Sequence, residues 1–172
     1  MSAVALGQEG WLYRIVLLLH IIAAIVGFGG VVLNGLYAAQ SQQRPGPSGR
    51  AVSEANYSVA MVAEKFVYAV PVLGIALVLL SDGAFSFGTT WVWLSLVLYV
   101  LALGLSHSVM IPGHRRLNAL LLEMEQQAPP AGGPPPQVAQ IGAIGKKLAG
   151  VSMVLNLALV VMLALMIWKP GS

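Results

Sequence analysis

The chain has 172 residues, 58% hydrophobic and only 9% charged, with a formal net charge of +3 and no cysteine. Soluble domains carry about 25% charged residues, so this composition excludes an ordinary soluble domain and indicates a single integral membrane domain. The missing cysteine excludes a disulfide, an iron–sulfur cluster, a thiolate-ligated haem or a zinc ribbon within the chain. Most of the positive charges fall in the loops or at the ends of the apolar stretches, where they set topology, and no nucleic-acid partner is expected.

Four long apolar stretches lack Asp, Glu, Lys and Arg: residues 15–43, 66–81, 83–113 and 148–168. A spanning helix needs about 20 apolar residues. The first, third and fourth stretches suffice alone. The second extends inward past Glu64 and Lys65, whose long side chain can snorkel. The expected helices lie near 11–40, 54–81, 89–112 and 143–168. The start of the chain has no basic n-region and no cleavage site, so the first span reads as a membrane helix, not as a cleaved signal peptide.

The 44–50 loop carries Arg44 and Arg50. The 113–147 connection carries Arg115, Arg116, Lys146 and Lys147, and the loop around 81–90 has no positive charge. The positive-inside rule then puts both termini outside a bacterial cytoplasmic membrane. Trp11, Tyr13, Trp91, Trp93 and Trp168 fall at the outer interface in that orientation, where amphipathic rings are favoured. After Pro112, Leu117, Leu120, Leu121 and Met124 share one helical face, which predicts an amphipathic interfacial helix over 113–127. The Pro/Gly run 128–136 reads as a linker.

Polar groups within membrane helices are functional candidates. Here they are His20, Asn34, Glu64, His107 and Asn156. Tyr13, His20, Gly27 and Asn34 recur at seven-residue spacing and so share one face of the first helix. His20 lies about 12 Å below Leu12, and His107 about 24 Å below Trp91. That difference in depth disfavours one haem ligated by both histidines. His107 and Glu64 lie at similar depth. Pro71 is expected to bend the second helix beside His20. His20 needs a partner in hydrocarbon, and Asn156 is the side chain nearest to it in depth. Met162 and Met166, four apart, offer soft sulfurs to copper or simply pack. His114, Arg115 and Arg116 read as a phosphate or lipid contact, or as a positive-inside stop. No nucleotide loop, nucleophile motif or metal-spaced His/Glu set is present.

The segments LLLHIIAAIVGFGG, IPGHRRLNALL and ALMIWKPG resemble an uncharacterised family of bacterial four-helix integral membrane proteins. More distantly, the layout resembles the copper resistance D membrane domain and the HemJ-type protoporphyrinogen oxidase. These share a histidine early in the first membrane helix, which corresponds to His20. The resemblance implies a haem- or porphyrin-associated bundle, or a copper-handling one. HemJ-type proteins follow that histidine with a Trp-containing segment and a Pro-Arg pair. This chain instead reads GFGGVVLNGLYAAQ, so the resemblance does not extend to the oxidase residues.

The expected fold is an all-α, antiparallel four-helix membrane bundle with a short cytoplasmic interfacial helix. The first functional reading is a non-catalytic or redox-accessory membrane subunit that binds haem or a porphyrin through His20, with His107 a secondary candidate. The second is a structural or assembly subunit without a cofactor. The third is a copper-handling protein using Met162 and Met166. The expected partners are the lipid bilayer, further copies of the chain, or a larger membrane complex.

Overall fold

The computed structural model describes residues 7–44, 46–126 and 135–171. These are helical almost throughout, as an all-α membrane bundle requires. In chain order they form α1 (Trp11–Gln42), α2 (Pro47–Leu80), α3 (Thr90–Leu105), a π-helical turn (Ser106–Met110), α4 (Ile111–Gln126) and α5 (Pro136–Trp168). The stretches Trp11–Gln42, Pro47–Leu80, Thr90–Gln126 and Pro136–Trp168 are each long and apolar enough to cross a membrane. Many of their large apolar residues face outward. Ile25, Val72, Val100 and Leu157 are 64–68% exposed, a pattern costly in water and suited to lipid.

The helices outrun the expected spans. The 32 residues of α1 rise about 48 Å, against about 30 Å of hydrocarbon. Helices α2 and α5 begin at Pro47 and Pro136, seven residues before the expected starts at 54 and 143. A proline at a helix start loses no intrahelical bond and has its φ preset. Of the expected linker, residues 128–134 lie outside the described residues, as does Gln127 of the expected interfacial helix.

The amphipathic helix after Pro112 exists as α4, but it continues α3 through the π-helical turn. The wider turn is bonded from the Ile111 N–H to the Ser106 carbonyl. Such a turn accommodates Pro112, which has no N–H of its own.

The chain divides into two compact units, and each long helix contributes to both. Unit 1 comprises the described residues up to Gly30, Val62–Leu101, and the described residues from Ala158 onward. Within it α1 and α2 run antiparallel: His20 meets Val70, Gly27 meets Val67, and Gly30 meets Ala63. A Cβ at Gly27 would lie 2.9 Å from the Val67 backbone nitrogen, and one at Gly30 would lie 2.5 Å from the Ala63 Cβ. Missing side chains therefore set how closely the two backbones approach. At one end of the unit, the Gly7 N–H donates to the Leu80 carbonyl at 2.9 Å. Lys169 lies over the Phe85 and Trp91 rings at the same end.

Unit 2 comprises the described residues of Val31–Met61 and Ala102–Leu157. Its α4 is held to α2 by polar pairs. Arg50 binds both Glu54 and Glu125, the Ser53 hydroxyl donates to Asn118 at 2.5 Å, and Arg115 donates to the Tyr57 hydroxyl at 2.7 Å. Leu120 is only 1% exposed, and Gly113 lies against Leu148 of α5. The leucine stripe read from the sequence thus has protein against its centre. An amphipathic pattern alone does not distinguish a lipid surface from a protein partner.

Candidate functional site

The buried positions of α1 are Tyr13, His20, Ala23 and Gly27. Three of these belong to the seven-residue polar stripe expected from the sequence. His20 is 8% exposed, and its ring Nδ1 lies 3.0 Å from the carbonyl oxygen of Val70. A carbonyl can only accept, so Nδ1 carries the proton and donates. Nε2 of the neutral ring then holds a lone pair. It has no hydrogen-bond partner among the described residues. The partner of His20 is therefore a backbone carbonyl of α2. It is not the side chain of Asn156, whose Oδ1 is buried and unbonded.

The Val70 carbonyl lies beside Pro71, and α2 runs through that proline without a break. The ring of Pro71 removes the donor that would have reached the carbonyl of Val67 one turn earlier. The Tyr99 hydroxyl supplies it, donating to the Val67 oxygen at 2.6 Å. Gly74 borders the histidine on the same helix: a Cβ there would lie 3.4 Å from His20 Cε1.

His20 lines a cavity of about 320 Å³ in unit 1. The wall is largely apolar and aromatic, including Phe28, Pro71, Gly74, Phe85, Trp91 and Tyr99. Met162 and Met166 also line it, so the structure brings both thioethers to the same cavity as His20. Met162 is 5% exposed. Two further wall residues escaped the sequence reading as candidates. The Ser95 hydroxyl and the Trp91 indole N–H are buried without a hydrogen-bond partner among the described residues. An unsatisfied buried hydroxyl or N–H costs about 1–3 kcal/mol. Their signal in the sequence was a Trp and a Ser four apart, which reads equally well as an interfacial anchor and a packing residue.

The other candidates lie elsewhere. Glu64, half-buried in unit 1, accepts a hydrogen bond from Tyr68 at 2.9 Å. His107 is exposed in unit 2, inside the π-helical turn, with its Nδ1 3.0 Å from the Leu103 carbonyl. Asn34 and Asn156 are half-buried in unit 2. Among the described residues, no three His, Cys, Asp or Glu side chains cluster to hold a metal ion.

Residues 14–170 match a family model described as "Predicted integral membrane protein (DUF2269)". No curated protein and no solved structure matches the chain. The match covers nearly all of the sequence, so the chain belongs to that family of integral membrane proteins.

Proposed function

We propose that this DUF2269 protein is a non-catalytic, redox-accessory membrane subunit that binds haem or a related porphyrin in the unit 1 cavity through Nε2 of His20. The observation that carries the reading is the Nδ1 bond to the Val70 carbonyl. A ring nitrogen fixed in this way orients the opposite nitrogen as a ligand, as carbonyl and carboxylate acceptors do at metal-binding histidines. The donor set suits the group. An imidazole lone pair, a thioether from Met162 or Met166, and aromatic walls are what a histidine- or His/Met-ligated haem uses. When bound, the iron would supply one-electron chemistry. The chain's own part is to bind the ring, orient the ligand nitrogen and exclude water.

Purified protein supplied with haem should show a Soret band. His20→Ala should abolish it while the variant elutes and melts as a folded protein. A colourless wild type, with His20→Ala changing only thermal stability, would overturn the reading in favour of a packing role. A second reading rests on the two methionines that share the cavity with His20, since soft sulfurs select Cu(I). Stoichiometric copper without Soret absorbance would favour it.

The loop charges support an orientation with both termini outside a bacterial cytoplasmic membrane. The chain has no cysteine, so single-cysteine variants label cleanly. Ser86→Cys should react with an impermeant maleimide on intact cells, and Ser48→Cys only after permeabilisation. The opposite pattern would reverse the orientation.

A further inference from the structure

Trp91, Ser95 and Tyr99 lie four residues apart along α3, on one helical face, and all three line the cavity. Tyr99 is satisfied by the Val67 carbonyl. The other two are not: Trp91 Nε1 and Ser95 Oγ are buried with no partner. Ser95 is 8% exposed. Serines in helices commonly bond the carbonyl four residues back. Ser58 does so to Glu54 at 3.0 Å and Ser108 to Gly104 at 2.6 Å. Ser95 leaves that bond unmade. Lys169 lines the same cavity, its Nζ 4.6 Å from the Phe85 ring centroid and 5.8 Å from that of Trp91. An indole N–H and an ammonium can only donate, and a hydroxyl can donate.

From this arrangement we infer that Trp91, Ser95 and Lys169 form an acceptor subsite within the cavity, built for a carboxylate carried by an apolar ring ligand. The inference rests on the reading of the cavity as a ring-ligand site and adds the part of the ligand that iron ligation does not explain. Three donors line one largely apolar cavity, and Trp91 is in contact with Lys169 and on the same helical face as Ser95. The group that complements them is an anionic oxygen, because it accepts several hydrogen bonds and meets the ammonium charge. Lys169 follows directly on the last residue of α5, at the end of unit 1 where Gly7 bonds Leu80. A ligand held there has its charged edge at that end of unit 1 and its apolar body among the unit's helices.

Protoporphyrin IX carries two carboxylates and no iron, and its dimethyl ester carries neither charge. Titrating detergent-solubilised protein with each, and following porphyrin emission, isolates the subsite. The wild type should bind the free acid about tenfold or more tightly than the ester. Ser95→Ala and Trp91→Phe should each weaken the acid by about fivefold to tenfold and leave the ester unchanged. Ester binding, together with an unshifted melt, shows that the variants are folded. Equal affinity for acid and ester in the wild type, equal weakening of both by the variants, or no binding of either would overturn the inference. Haem ligation is read separately. If haem gives no His20-dependent Soret band while the acid still binds in a Ser95-dependent way, the axial-ligand reading fails and the subsite stands. A His20-dependent band with acid and ester bound alike removes the subsite and leaves the ligand reading.

Discussion

Gly27→Ala should lower the stability of the detergent-solubilised protein by about 1–3 kcal/mol, whereas Gly29→Ala should leave it unchanged or slightly raised. The two glycines are two residues apart in the same helix, so helix propensity acts on both alike. They differ in what the new methyl meets. At Gly27 the Cβ would lie 2.9 Å from both the backbone nitrogen and Cγ2 of Val67, and a backbone atom inside a helix cannot step aside alone. At Gly29 nothing lies within 4 Å. Gly30→Ala should resemble Gly27→Ala, because its Cβ would meet that of Ala63 at 2.5 Å. Thermal melts of the three variants, monitored by helical circular dichroism, check the ranking. Equal shifts at positions 27 and 29 would mean that the close approach of α1 to α2 does not limit stability.

The second large effect concerns Tyr99 and Pro71. Tyr99→Phe should cost about 1–3 kcal/mol, because it leaves the Val67 carbonyl without the donor that Tyr99 provides at 2.6 Å. In a Pro71→Ala background the same substitution should cost less, since replacing the proline restores a backbone N–H one turn after Val67. The double-mutant cycle should give a coupling of about 1 kcal/mol or more. Additive effects would mean that the Tyr99 hydroxyl contributes independently of the proline.

These two cases also mark what the sequence could and could not reveal. The four spans are legible because lipid demands long apolar stretches, and few other constraints give that pattern. The face bearing Tyr13, His20 and Gly27 is legible for a similar reason: polar and small residues at seven-residue spacing have one physical reading in a membrane helix. Helix ends were legible only to the edge of the hydrocarbon. Beyond it, polar pairs such as Ser53 with Asn118 and Arg50 with Glu125 carry the helices on, and each joins residues far apart in the chain. Among the side chains, Asn156 is the one whose depth in the sequence best matches His20. The structure supplies a main-chain carbonyl instead, which no residue letter announces. Tyr99 was missed because its task is created by Pro71 on another helix. Trp91 and Ser95 were missed because their distinguishing property is the absence of a bond.

The hydrogen bond from His20 to Val70 also limits how this ring can handle protons. An imidazole conducts by taking a proton at one nitrogen and releasing another from the opposite one. Here the proton on Nδ1 faces an amide oxygen, which cannot carry it onward at neutral pH. With that bond in place, His20 is a cul-de-sac: whatever proton reaches Nε2 must leave through Nε2. While the bond to Val70 holds, the ring by itself is therefore no two-ended relay for protons.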